Sequence, residues 1–581
     1  MMSGQLSIFV QVEAVNIYPT LFDTQQLSVI RGGSYFVAKA IQAVVEHPTF
    51  GQHLQPLSSG ASSGLFRLLS NQDPEDLARE IARWLGTNPA YRLFTFTVES
   101  CRAEGLRDAR EILAAKVRFR QLRQVTQVPD QPDEGGQAVV DPCGIDGRRR
   151  SNPRRIEKIK GKDTPVSTSV GTRLAKGREL KAGFYFELLG KAEDLDLTVS
   201  ERERLERLHK RLHEVSFSED LESLARCDKF RSLNNKIAVI YLDGNRFGAI
   251  QRDLVTSPDL QIDFDRGIRS ARAGLMVGLL DALIDENVDG KQGRARLRET
   301  SFLPASDRVE RALRFETLLW GGDEMTLVAP AWLGFALIQL FYRLTADWKR
   351  NERLSRILTG KESLTHAGGV VFCHAKTPIS RMRRLAQQLA EDVKGSGDGT
   401  GRRSNLFDYL VLESIDYPVE PTLKEFRRMR YGDIGSYRRP IAPSADWFDG
   451  ACMACERLLM DDGIARGQVF RLARRIGAEP LQSLFGCDLG PRPPPWRRAS
   501  DAPVPDSESP FECAERRLIE LAESRRAGIE DDLRAVANAL GVDSDDPRER
   551  AWLWLHLAEL WDYLVPERDH ADQRVRREAV Q

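Results

Sequence analysis

Two short stretches of this sequence carry residues that could do chemistry together. One is Tyr241-Leu242-Asp243-Gly244-Asn245-Arg246-Phe247-Gly248, at the end of the apolar, β-branched run 236–242. The other is Trp320-Gly321-Gly322-Asp323-Glu324, between two further apolar runs. Asp243 and Asp323 stand 80 positions apart, and a strand end beside a tight turn would let them face each other. Paired carboxylates of this kind hold hard cations such as Mg²⁺ or Mn²⁺, which share their oxygen ligands between a few carboxylates and substrate phosphates. One or two such ions activate a hydroxyl and stabilise a leaving pyrophosphate. Gly321 and Gly322, like Gly244 and Gly248, would let the chain turn and a triphosphate approach closely. Asn245 and Arg246, with Phe247 beside them, could contact phosphates or a base. Either motif alone is an ordinary turn signal. Their combination, in this order within one α/β unit, points to a site.

The elements that must position these residues can be read from the pattern of apolar residues. The run 236–242 reads as a buried strand, and Leu275, Leu279, Leu280 and Leu283 mark a helix over about 266–286. Strands at 312–320 and 325–330 flank Gly-Gly-Asp-Glu. An apolar helix at 332–350 and a strand at 366–374 complete a β-α-β-β-α-β order, and a striped helix after Pro378 leads to a last strand at 405–413. The same order is legible earlier: a strand at 5–15, a helix at 31–47 and two short strands around Ser-Ser-Gly-Ala-Ser-Ser-Gly at 58–64. It continues with a helix at 74–86 capped by Asn71 or Asp73, a strand at 92–100 and a helix from about 105 to 123. The expected fold is therefore α+β, with two ferredoxin-like units at 1–127 and 231–417. A basic insert at 128–230 would separate them, and a helical region at 418–581 would follow, interrupted by a Pro-rich linker at 490–510. Within the insert, residues 128–180 are poor in large apolars and read as a solvated loop, with a nucleic-acid or nucleotide-phosphate contact as the alternative. Residues 198–214 read as a charged surface helix.

Composition narrows the function. The 581 residues include 85 Lys+Arg and 85 Asp+Glu, so a chain-wide basic coat for nucleic acid is not expected. There is no apolar run long enough for a membrane span and no secretory signal. Eight scattered cysteines fit a reducing cytoplasm.

The residues then carry a family resemblance. Leu-Asp-Gly-Asn-Arg-Phe-Gly at 242–248, followed by Leu-Leu-Trp-Gly-Gly-Asp-Glu-Met at 318–325, resembles the palm of GGDEF-type nucleotide cyclases. It is more similar still to the second palm of the polymerase-like large subunits of type III CRISPR complexes. The resemblance implies NTP substrates with ATP favoured, Mg²⁺ or Mn²⁺ as cofactor, and 3′–5′ phosphodiester products serving as second messengers in antiviral defence. It makes Asp243, Asp323 and Glu324 catalytic and metal-ligand candidates, with the Gly244 carbonyl as a further ligand. Leu27–Ser34 resembles the opening of a first palm in the same family. Ser59, Gly60, Ala61 and Ser62 stand where an active palm has Gly-Gly-Asp, so the first palm is expected to be degenerate and to bind a second nucleotide or pack against the second. No His-Asp dipeptide occurs, and the HD nuclease of some relatives is not expected. The rival reading is a non-catalytic scaffold that binds nucleotide or guide RNA within an effector complex. An RNA or effector-protein partner and a homo-oligomer fit either reading, and no membrane partner is expected.

Other candidates are weaker. Cys452 and Cys455 form one CxxC pair with Cys487 as a third cysteine; they read as core cysteines, and no zinc is expected. Cys143 and Asp146 fit a nucleotide-contacting loop or a plain surface loop. His374 and Lys376 read as a strand end. Lys394 could reach a triphosphate or simply cap a helix dipole. Arg381, Arg383 and Arg384 read as a solvated face.

Overall fold

The structure, a computed structural model, describes residues 6–15, 17–60, 62–124, 141–159, 161–189, 195–213, 215–218, 220–284, 312–346, 348–359, 363–395, 403–413, 422–443, 447–458, 463–485 and 509–564. Cys487, Ala61 and most of the Pro-rich stretch 490–510 lie outside them.

The first palm runs β1 (Ser7–Val15), α1 (Tyr18–Leu21), α2 (Leu27–Val45), β2 (Leu54–Ser59), β3 (Ser63–Leu68), α3 (Pro74–Thr87), β4 (Thr95–Ala103) and α4 (Leu106–Arg123). Its sheet has the order β2-β3-β1-β4, with β1 antiparallel to both neighbours. This is the expected split βαβ arrangement. Of the two residues expected to cap α3, Asp73 does so: its side chain accepts from the backbone N–H groups of Glu75 and Asp76, and Pro74 fills the first turn.

The insert departs from the expected loop. Strand β5 (Asn152–Ile159) pairs antiparallel with β6 (Lys162–Val166), and α5 spans Thr168–Leu189. Two of the insert's basic residues are tied to carboxylates, Arg149 to Asp23 and Asp146 and Arg178 to Glu157, while Arg148, Arg150 and Arg154 are exposed. Cys143 belongs to a small core with Val29, Val166, Val170 and Leu174. Helix α5 crosses α2 closely. A Cβ on Gly32 would lie 1.9 Å from the Arg173 carbonyl oxygen, and one on Gly177 would lie 1.8 Å from that of Ser28. Only glycine admits this approach, which explains Gly32 in α2 and Gly177 in α5. Helix α6 (Val199–Leu212) carries the Thr198–Glu201 capping box and buries Leu205, Leu208 and Leu212.

The second palm begins after α7 (Leu221–Ala225) with β8 (Lys236–Gly244), α8 (Phe247–Leu254) and α9 (Pro258–Ile284). It continues through β10 (Glu316–Trp320), β11 (Glu324–Pro330), α10 (Gly334–Thr345), α11 (Glu352–Ile357), β12 (His366–His374), α12 (Ile379–Gly395) and β13 (Leu406–Val411). A two-residue parallel pair, β7 (Ser216–Phe217) with β9 (Ala312–Leu313), lies apart. The main sheet is β10-β11-β8-β12-β13. Its first four strands repeat the order of the first palm, and β13 adds a parallel fifth.

Side chains alternate across β8. Ile237, Val239 and Tyr241 join the core shared with the first palm and α12. Ala238, Ile240 and Leu242 face a second core that contains Trp447, Phe448, Trp552 and Trp554 of the C-terminal helices. The palms are also joined by a buried ion pair. Arg31 on α2 donates from Nε to Glu316 Oε1 on β10 at 3.0 Å. In the C-terminal region, helices Trp447–Leu458, Arg466–Ala478, Pro510–Glu523, Ile529–Ala539 and Pro547–Leu564 match the expected helical reading. Cys452 and Cys455 lie buried on the first of these. No described helix is long and apolar enough to cross a membrane.

Candidate active site

The two motifs meet on neighbouring strands. Asp243 pairs in register with Glu324 on β11 and with Ala367 on β12, and Gly244 pairs with His366. The Gly244 N–H donates to the Asp323 carbonyl at 3.0 Å. A Cβ on Gly244 would come within 2.6 Å of Phe247 Cδ2 and 2.9 Å of Asp323 Cβ, so glycine is what lets the two turns close on each other. Gly321 donates to the Glu324 carbonyl at 2.7 Å, while Gly322 is exposed at the tip.

Asp243 and the Gly244 carbonyl converge on one positive charge. The Lys394 ammonium, at the end of α12, lies 2.7 Å from Asp243 Oδ2 and donates to the Gly244 carbonyl oxygen at 3.0 Å. Burial pushes the Asp243 carboxyl up to about 6, Lys394 opposes that rise, and the charges of Asp323 and Glu324 add to it. Asp323 is also raised by burial. Its neighbouring cations are Lys394 and Arg272, and Arg272 lies 5.1 Å over the Trp320 ring. Lys394 therefore stands at the carboxylate pair itself, a partner that neither sequence reading of it, triphosphate contact or helix-dipole cap, names.

Glu324 faces different partners. Arg383 Nη2 donates to its Oε1 at 2.5 Å, and the Tyr18 hydroxyl of the first palm donates to its Oε2. Tyr18 and Tyr241 are both raised well above the usual phenol range, first by burial and then by the Glu324 charge. The Arg383 guanidinium lies 3.7 Å from the Tyr18 ring centroid, 5.3 Å from that of Tyr241 and 5.4 Å from that of Phe22. This corrects the reading of Arg383 as part of a solvated face: it is buried, whereas Arg381 and Arg384 are exposed. Periodicity could have found it, since Ile379, Met382, Arg383 and Ala386 share the buried side of α12.

The remaining predicted residues are spread around this centre. Asn245 is buried, and its amide donates to Thr365 Oγ1 and to the Ser404 carbonyl, each at 3.0 Å. Arg246 sits at φ 59° in the left-handed region, uncommon for a non-glycine residue, where the chain turns into α8. Phe247 packs 5.6 Å from His366. Gly248 opens onto a separate cleft of about 210 Å³ between α4 and α8, lined by Arg107, Arg110 and Gln251. His374 is exposed, and its Nδ1 accepts from the Lys376 N–H at 3.2 Å.

The first palm reproduces the site's backbone with only one of its carboxylates. The Ala14 N–H donates to the Ser62 carbonyl at 2.8 Å, as Gly244 does to Asp323. Glu13 pairs in register with Ser63, as Asp243 does with Glu324. Ser62 and Ser63 thus stand for Asp323 and Glu324, and Glu13 stands for Asp243. Inspection of the turn alone misses Glu13; the alternation of Gln-Val-Glu-Ala-Val along β1 contains it. Glu13 accepts from Gln11 and Gln121 at 3.2 and 3.1 Å, with no cation among these partners. Ser59 donates its N–H to Asp265 of α9 at 3.1 Å, which seats this turn, with Gly60, against the second palm.

The donor set suits a hard cation. Two oxygens of β8 already share one positive charge, and Asp323 adjoins them. Among the described residues no three His, Cys, Asp or Glu side chains converge as a ready cage. A metal here would take Asp243, the Gly244 carbonyl and Asp323, with substrate phosphates supplying further oxygens.

No family model and no curated protein matches the chain. Solved structures do. The crystal structure of Csm1 in T. onnurineus is 11% identical, with 90% of this chain and 70% of that one covered, at a TM-score of 0.40. A type III-B Cmr-beta cryo-EM structure in the apo state is 8% identical over 83% and 76%, also at 0.40. A Csm1–Csm4 cassette in complex with one ATP is 11% identical over 90% and 70%, at 0.38.

Proposed function

We propose that the chain is a metal-dependent nucleotidyltransferase that joins NTPs, with ATP favoured, into cyclic or short linear oligonucleotides serving as second messengers in antiviral defence. One observation carries this reading: the Asp243 carboxylate and the Gly244 carbonyl converge on a single cation, with Asp323 packed against Gly244. Bound Mg²⁺ or Mn²⁺ would supply Lewis acidity to a 3′-hydroxyl and to the departing pyrophosphate. The chain's own residues do the rest. Asp243 and Asp323 present negative charge where a hydroxyl must lose its proton. The Gly244–Asp323 backbone bond fixes the spacing of the two turns. Lys394, already at this point, is placed to follow the charge from Asp243 to an incoming triphosphate. The 3′-oxygen forms its bond to the α-phosphorus of the next nucleotide as the bond to pyrophosphate breaks.

A second reading, a palm scaffold that binds nucleotide or guide RNA beside effector subunits, is favoured by the engagement of Glu324 with Arg383 and Tyr18. Incubation with each NTP and Mg²⁺ or Mn²⁺, followed by mass spectrometry, separates the two. The enzyme reading predicts oligonucleotide products and pyrophosphate. RNA co-purification with no NTP turnover supports the scaffold.

A further inference from the structure

We infer that Glu324 is a positioning residue tying the first palm to the catalytic turn, and not a ligand of the metal. The inference rests on the nucleotidyltransferase reading above and assigns a role within the same site. Both carboxylate oxygens of Glu324 are engaged: Oε1 accepts from Arg383 at 2.5 Å, and Oε2 accepts from the Tyr18 hydroxyl. Tyr18 belongs to α1 of the first palm, 306 positions away in sequence. The Arg383 side chain is only 6% exposed, and its guanidinium stands among the faces of Tyr18, Phe22 and Tyr241. Its Nε is buried with no hydrogen-bond partner.

Withdrawing Glu324 toward a metal would leave this buried cation facing only aromatic rings, and a buried charge stripped of its partner is strongly unfavourable. Asp243 has no such tie. Its partner is Lys394, on a flexible stem and one-fifth exposed, which can leave without stranding a buried charge. The two carboxylates that face each other in register therefore have different tasks. Asp243 is free to exchange one cation for another. Glu324 holds the first palm against the strand that begins with it.

The test compares Glu324→Gln, Tyr18→Phe and Asp243→Asn in the full chain. Mn²⁺ binding is followed by titration calorimetry, thermal unfolding by scanning calorimetry, and turnover by pyrophosphate release. Glu324→Gln and Tyr18→Phe are expected to keep Mn²⁺ affinity within about threefold, while Asp243→Asn loses about tenfold or more. Both tie variants are expected to lower kcat of the folded protein in parallel, which a purely structural role would not do. Combining them should lower Tm no further than the stronger single change. Loss of Mn²⁺ affinity in Glu324→Gln equal to that in Asp243→Asn would overturn the inference, as would additive thermal effects. If the unaltered chain binds no Mn²⁺, the nucleotidyltransferase reading fails, and the tie is then decided by the thermal cycle alone.

Discussion

The two palms are built on one plan and differ where chemistry would occur. Each places its first strand between the third and the fourth, and in each the residue before the third strand accepts one backbone hydrogen bond from the end of the first. In the second palm the positions at this junction are Asp243, Gly244, Asp323 and Glu324. In the first they are Glu13, Ala14, Ser62 and Ser63. The first palm keeps one carboxylate and pairs it with glutamines; the second gathers three and sets Lys394 and Arg383 against them. The backbone that positions a site is thus separable from the charges that would make it work, and the chain carries both conditions side by side. A further difference is support. The second palm has a fifth strand, β13, which docks it to the C-terminal helices.

That support should dominate stability. Asp408 on β13 binds Arg427 at 2.5 Å and Arg438 at 2.7 Å, all buried, and the two cations hold its carboxyl below the usual range against the effect of burial. Asp408→Ala would take the shared carboxylate from two buried guanidinium groups, of which Arg438 keeps the Tyr409 carbonyl, and cost about 3–5 kcal/mol, measurable by urea unfolding. No counterpart of this network is expected from changes in β4, the edge strand of the first palm.

Acid should act on the same half. His366 beside Gly244 and His556 beneath β13 are both buried, and burial lowers each to about 3; the Lys394 charge assists at His366 and the Arg438 charge at His556. Since their folded values lie below the unfolded value of 6.5, the unfolded chain binds more protons over that interval. Stability is therefore full above pH 6.5 and declines as pH falls toward 3. Between pH 6.5 and 5 each histidine should remove about 2 kcal/mol, seen as a falling urea midpoint that His556→Gln partly flattens.

A smaller contrast concerns the junction glycine. Gly244→Ala must displace Phe247 or Asp323 and is expected to cost about 1–3 kcal/mol. The mirror change Ala14→Gly in the first palm should cost only about 0.5–1 kcal/mol, through backbone entropy. Equal costs in thermal unfolding would mean that the two junctions are not packed differently.

Much of this contrast can be read from sequence, because its signals are local. Asp243 closes an apolar run and is followed by Gly244, and Asp323 follows an apolar run through Gly321 and Gly322, so strand end and turn are apparent without a partner. The second palm's element order follows from periodicity for the same reason. The insert is harder. Helix α5 is not strongly two-faced, because it packs Gly177 against α2 and spreads small and charged residues around its axis, so no stripe announces it. The tie at Glu324 was not legible at all: Tyr18 and Glu324 meet only because two separate sheets share a core. Arg383 stands between Met382 and Arg384, where an arginine among arginines suggests solvent, yet its position in the stripe places it on the buried face.

The central claim is that catalysis belongs to the second palm alone. It is tested most directly by pyrophosphate release from ATP with Mg²⁺ or Mn²⁺, comparing the unaltered chain, the double change Asp243→Ala with Asp323→Ala, and Glu13→Ala. Release should vanish in the double variant, whose thermal unfolding remains cooperative, and persist in Glu13→Ala. Unchanged release in the double variant, or equal loss in Glu13→Ala, would contradict it.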